Sequence, residues 1–192
     1  MRVKLEVLED FMNRSIYKWR EIYLKEIKEG PSRRQVITRP SFNHFVHTQR
    51  PFFSDINFED SHYIANFRTI EYTTLKYNLS SKIVILRLSG YNLGRSMVKK
   101  GIIHSMDDVP IALVLYKVGL VDLIKESFNT MKINIYECIS CYDLPNVGKA
   151  MCDFEAGILQ GILTELYGSN VVKEKYCWGL GNSFCGFEIY FE

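Results

Sequence analysis

Apolar residues recur at three- and four-residue steps from the start of the chain: Leu5, Leu8, Phe11, Met12, Ile16, Trp19, Ile22, Tyr23 and Ile27. That period predicts one long amphipathic helix, and Gly30-Pro31 supplies its stop. From Pro31 to about Asn66 the period dissolves into Arg39-Pro40, Arg50-Pro51 and scattered aromatics (Phe42, Phe45, Phe52, Phe53, Phe58). Structureless connections of this length are uncommon in compact domains, so the stretch reads as an arm wrapped around the body or a second subunit. Residues 68–77 and 82–88 read as strands separated by Asn78-Leu79-Ser80-Ser81, and Leu93 to Lys100 as a short helix. Asp107 or Asp108 is placed to cap a further helix, with Pro110 in its first turn and Gly119 at its end.

The second half is patterned more sharply. Leu120 to Lys125 and Met131 to Tyr136 alternate with period two around Phe128-Asn129-Thr130, a hairpin. A second strong helix covers roughly 149–167, with Met151, Phe154, Ile158, Leu159, Ile162, Leu163 and Leu166 on one face and Gly168 as its stop. A last hairpin runs from Val171 to Cys177, turns at Gly179-Leu180-Gly181-Asn182, and returns from Phe184 to Phe191. Hairpin, helix, hairpin predicts an α+β fold, an antiparallel sheet covered by helices.

Composition narrows the function. Apolar residues make up 47% of the 192, enough for a real core. The net charge is +2, with 24 basic residues scattered among 22 acidic ones, so there is no basic stripe and nucleic acid is not an expected partner. No secretory leader and no membrane span are expected, which points to a cytoplasmic protein. Five cysteines, an odd number, argue against a disulfide framework, and all lie between Cys138 and Cys185.

Four of the clustered donors suggest one metal. Cys152 is expected in the first turn of the second strong helix, Glu174 and Cys177 at one strand end, and Cys185 on the hairpin partner. In the last strand Cys185 shares a face with Phe187, Ile189 and Phe191, so it points inward. Three thiolates and a carboxylate would close a tetrahedral zinc shell with no open position, which suits a structural role. The alternatives are that these are buried free thiols packing as small hydrophobes, or that Cys138 and Cys141 replace Cys152 and Glu174 in an all-cysteine site. Cys138-x-x-Cys141 also has redox spacing, though it opens no thioredoxin-like helix. Glu137 and Glu155 fall on apolar faces, where structural carboxylates bonded to backbone amides are the ordinary case. His44 and His47 have metal-like spacing but no acidic or thiol neighbour in sequence, and read as packing residues. Gly157 and Gly161, four apart, require a close approach by either a neighbouring element or a ligand.

The run Tyr136-Glu137-Cys138-Ile139-Ser140-Cys141-Tyr142-Asp143-Leu144-Pro145-Asn146-Val147-Gly148 resembles the signature of the 4-vinyl reductase domain family. The resemblance continues through Cys152-Asp153-Phe154-Glu155-Ala156-Gly157, then Glu174-Lys175-Tyr176-Cys177, and closes on Gly181-Asn182-Ser183-Phe184-Cys185-Gly186. It is dense over about 131–189 and thins before Leu93. It implies a fold like that of the trafficking-complex (TRAPP) subunits, dimeric α/β proteins with an apolar channel. It also implies zinc on Cys152, Glu174, Cys177 and Cys185, as in the family's aromatic sensors.

The expected organisation is therefore a helix and arm over 1–66, available for dimer contact, and a ligand-binding domain over 67–192. The expected function is binding of a small apolar molecule by a homodimeric sensor or carrier, with output through a regulatory protein partner. A reductase of tetrapyrrole metabolism and a TRAPP-like scaffold subunit are the alternatives. No Walker loop, dinucleotide fingerprint or Ser-His-Asp pattern favours an enzyme.

Overall fold

A computed structural model describes residues 2–37, 39–56, 59–79, 81–125 and 130–191. Helix α1 (Arg2–Glu29) follows the predicted period and stops where Gly30 takes a positive φ before Pro31. The stretch read as an unstructured arm folds instead into α2 (Phe42–Val46), α3 (Pro51–Ile56) and the start of α4 (Asp60–Lys76). Its aromatics anchor these short helices, because Phe45, Phe52 and Phe53 are buried; Phe58 lies outside the described residues. Part of it does wrap the body: Val36 bridges Asn146, and Arg33 N donates to Gly181 O at 3.0 Å.

The two strands predicted over 68–77 and 82–88 are helical, in α4 and in α5 (Ser81–Lys99), which also absorbs the short helix predicted from Leu93. β-branched and aromatic residues misled here, since tertiary packing overrides local preference. Ile64, Arg68 and Glu71 of α4 are buried at helical spacing. The predicted division after residue 66 falls within α4. Next, Ser105 accepts from Asp107 N to start a single tight turn, and Asp108 caps α6 (Val109–Leu115), which ends before Gly119.

The sheet is as predicted. Strands β1 (Leu120–Lys125) and β2 (Thr130–Tyr136) pair antiparallel, while the tip predicted at Phe128 and Asn129 lies outside the described residues. Helix α7 (Asp153–Tyr167) stops at Gly168, and β3 (Asn170–Tyr176) pairs with β4 (Cys185–Phe191). The order is β1-β2-β4-β3, all antiparallel, so the two hairpins join through their central strands. Ile133, Ile135, Cys185, Phe187 and Ile189 meet α7 in the main core, whereas Tyr136 and Phe184 meet Met12 and Ile16 of α1. The class is α+β, a sheet between α1 and the α5–α7 layer.

Gly157 and Gly161 face a helix, not a ligand. A Cβ on Gly157 would stand 2.2 Å from Arg87 O, and one on Gly161 2.2 Å from Tyr91 O. Gly90 and Gly94 of α5 repeat this from the other side, against Phe154 O at 2.1 Å and Ile158 O at 2.2 Å. The two helices therefore touch backbone to backbone.

Candidate metal centre

The chain leaves β2 through Glu137, whose φ of 50° turns it sharply back. That reversal brings Cys138 and Cys141 beneath the start of α7. Cys152 is the residue immediately before α7 and not, as expected, inside its first turn. Glu174 lies where β3 loses register with β4 between Glu174 and Tyr176, an irregularity that aims the end of β3 toward the cluster. Cys177 follows, and Cys185 opens β4 with its side chain in the core.

All five cysteines are buried and none is disulfide-bonded. The predicted four, Cys152, Glu174, Cys177 and Cys185, present donor atoms that all lie within 4.8 Å of one another. Cys152 Sγ is 3.8 Å from Cys177 Sγ and 3.4 Å from Cys185 Sγ. In a zinc–thiolate tetrahedron with bonds of about 2.3 Å the edges are about 3.8 Å, so these thiols stand near coordinating separation. Glu174 Oε2 accepts from Cys152 N at 3.1 Å, while Glu174 Oε1 is buried with no hydrogen-bond partner. A buried carboxylate oxygen without a donor costs free energy, and a cation beside three thiols would remove that cost. Burial, and then the neighbouring Cys177, push the Glu174 carboxyl well above the usual carboxylate range. The donor set fits a thiophilic divalent metal.

Cys138 and Cys141 belong to the same cluster, and with Cys152 and Cys185 form a second set of four mutually close donors. Sequence spacing marked the pair but could not place it. Glu155 is fully buried beside it, accepting from Ser140 N at 3.1 Å and Ser140 Oγ at 2.8 Å, with Cys138 Sγ at 3.0 Å from Oε1. The backbone-bonded reading of Glu155 holds. Arg68, which sequence reasoning passed over, is fully buried and donates to Ile139 O at 2.6 Å and Cys138 O at 3.2 Å. It fixes the 138–141 loop and adds a permanent positive charge beside the thiols. His44 caps its own short helix, its Nδ1 accepting from Ser41 N, and His47 lines an open cleft with His62.

Glu137 ties the N-terminal elements to this loop. Its Oε1 accepts from Trp19 Nε1 at 3.1 Å and its Oε2 from Phe52 N at 2.9 Å. Burial raises its carboxyl to about 7, with the hydrogen bonds from Trp19 and Phe52 opposing the rise. Its folded value thus lies above the ordinary 4.5, so the folded chain binds more protons than the unfolded one between these two values. This group's contribution is therefore largest below pH 4.5 and is lost as pH rises toward 7. Wild type minus Glu137→Gln stability, measured by urea unfolding at successive pH values, should fall by ~3 kcal/mol across that window. A flat difference would show that Glu137 is ionised throughout.

Residues 131–191, which hold all five cysteines, match the model of the vinyl-4-reductase domain. An uncharacterized protein of Methanocaldococcus jannaschii is 34% identical over 127 residues, covering 66% of this chain and 76% of the relative. The chain belongs to the vinyl-4-reductase domain family. Among solved structures, the phenol-responsive sensory domain of the transcription activator PoxR, solved with phenol, superposes with a TM-score of 0.56. It is 13% identical and the match covers 66% of this chain and 73% of that one. At that identity the likeness concerns the fold. A second uncharacterized protein of Methanocaldococcus jannaschii is 27% identical over 132 residues, 67% of this chain and 76% of the relative. No described helix of this vinyl-4-reductase family protein is long and apolar enough to cross a membrane.

Proposed function

We propose that this family member binds a small apolar molecule as a sensor or carrier. In this reading one structural zinc, held by Cys152, Glu174, Cys177 and Cys185, staples its binding layer. The observation that carries the zinc is the orphaned Glu174 Oε1, buried among three thiols within 4.8 Å. All four coordination positions are taken by protein, so the metal would hold the last hairpin to the start of α7 and leave no position for a substrate. The cysteines lack disulfide partners, which suits a reducing, cytoplasmic setting.

The sensor reading is supported by family membership and by the fold shared with a domain whose ligand is phenol. Two open clefts flank the 137–149 loop. One, of about 850 Å³, is lined by Phe42, Val46 and Ala65 together with His47, His62 and Asp143. The other, of about 630 Å³, is lined by Tyr72, Leu75 and Val147 among others. Apolar walls with a few polar groups are what a small aromatic ligand needs. We include a homodimer in the proposal, because Val84, Ile85 and Leu88 of α5 stand more than half exposed, at 65%, 60% and 55%. Output would then pass to a regulatory protein partner.

The test is metal analysis of untagged protein purified without chelator, beside Cys177→Ser, with organic extraction of the same preparation. About one zinc per chain is expected, lost in the variant, with an extractable apolar compound in the wild type. Where free zinc stands a thousandfold above Kd its loss removes about 4 kcal/mol, which for a chain of this size lowers Tm by ~8–16 °C. A folded wild type without zinc would refute the staple, and an empty extract would refute the carrier.

A further inference from the structure

Four sulfurs, rather than three, stand around the proposed centre. Cys141 Sγ lies 3.1 Å from Cys152 Sγ, 3.1 Å from Cys185 Sγ and 3.7 Å from Cys177 Sγ. Cys152 completes two more edges, 3.8 Å to Cys177 and 3.4 Å to Cys185, and Cys177 and Cys185 are within 4.8 Å. These are the edges of one sulfur tetrahedron, close to the ~3.8 Å of a metal–thiolate shell. Cys152, Cys177 and Cys185 can therefore be completed from two sides, by Glu174 or by Cys141.

The fifth thiol is placed differently. Cys138 Sγ comes to 3.5 Å from Cys152 Sγ but lies closer, at 3.0 Å, to Glu155 Oε1. Glu155 is itself fixed by Ser140, so Cys138 is held at the rim while Cys141 faces the other three sulfurs. Cys141 is also well positioned by its backbone, since its carbonyl accepts from Leu144 N at 3.0 Å and Arg68 grips the carbonyls just before it.

The geometry points to Cys141 as an exchangeable fourth ligand that replaces Glu174 when the bound cation is soft. This rests on the zinc centre proposed above. A borderline cation such as zinc keeps the carboxylate, whereas a soft one gains more from a fourth sulfur. In the exchange the bond from the metal to the Glu174 carboxylate breaks and a bond to Cys141 Sγ forms. The Cys141 thiol proton passes to the released carboxylate, so the charge of the centre is unchanged. Glu174 then remains beside Cys152 N as a carboxylic acid, a neutral form that tolerates burial.

X-ray absorption at the metal edge, on the full chain loaded with either zinc or Cd²⁺, counts the sulfur and oxygen neighbours directly. Wild type should give three sulfurs and one oxygen on zinc but four sulfurs on cadmium. Cys141→Ala should return cadmium to three sulfurs and one oxygen. The same variant should weaken cadmium relative to zinc by at least tenfold in competition. Three sulfurs and one oxygen on cadmium in the wild type would overturn the exchange and leave the zinc staple standing. Four sulfurs already on zinc would overturn both the exchange and Glu174 as a ligand. No Cys177-dependent binding of either metal would overturn the centre itself. The wild-type comparison needs no variant, so a poorly folding Cys141→Ala does not blunt the test.

Discussion

Gly161→Ala is expected to destabilise the protein by ~3 kcal/mol or more, the upper end of what overpacking a close contact costs. In an exposed helix the same change would gain up to ~1 kcal/mol from helix propensity, so even the sign is diagnostic. The reason is that the new methyl group would stand 2.2 Å from Tyr91 O and 3.0 Å from Arg95 N, both backbone atoms of α5. A flexible side chain could swing aside, but a helix backbone cannot. Relief requires α5 and α7 to move apart along a contact also set by Gly90, Gly94 and Gly157. That movement loosens dispersion contacts all along the pair, including around Ile158 and Ile162 in the main core. For a chain of 192 residues the loss corresponds to a Tm lower by ~6–12 °C, read by thermal melting. Unchanged or raised stability would mean that the two helices are not in backbone contact.

The same helix pair explains where sequence reading failed. Ile83, Val84 and Ile85 are three consecutive β-branched residues, and all three are exposed, so the segment shows no apolar stripe of helical period. What makes α5 a buried partner is its glycine face, and a missing side chain leaves no mark in a hydrophobicity pattern. In α4 the buried positions include Asp60, Arg68 and Glu71, charged residues that the pattern assigns to solvent. Both failures share one cause: buried polar groups and bare backbone replace the usual apolar face. By contrast α7, β1, β2, β3 and β4 carry ordinary alternation or stripes, and these elements were legible almost to the residue.

The centre was legible to the same degree. The proximity of Cys152, Glu174, Cys177 and Cys185 followed from one helix start and one hairpin, both readable locally. The position of Cys138 and Cys141 depends instead on a non-glycine residue turning through positive φ, and on buried arginines reaching from α4 and the segment before α3. Nothing within 138–141 announces those partners. A Cys-x-x-Cys motif says that two thiols are neighbours, and only the fold says which other thiols they meet.

Breaking the buried pair of Arg50 and Asp60 should be the other large loss. Both side chains are fully buried, and Arg50 donates from Nε at 3.0 Å and Nη2 at 2.7 Å to the two carboxylate oxygens of Asp60. Its Nη1 donates to Lys117 O at 2.8 Å and Glu137 O at 2.9 Å, the carbonyls of two residues held at positive φ. The guanidinium also lies 3.8 Å over the ring of Phe53. One side chain thus closes the arm, the end of α6 and the exit of β2 onto the start of α4. Arg50→Met removes the cation and leaves a buried carboxylate and two carbonyls without donors, a loss of about 3–5 kcal/mol. Asp60→Leu alone should cost a similar amount by stranding the guanidinium. The double variant should recover part of the sum, because an apolar pair strands neither charge, although the two carbonyls stay unsatisfied. A double-mutant cycle in urea reads this coupling. Strict additivity would mean that the pair does not interact and that the turn at Glu137, which delivers Cys138 and Cys141 to the centre, is held by something else.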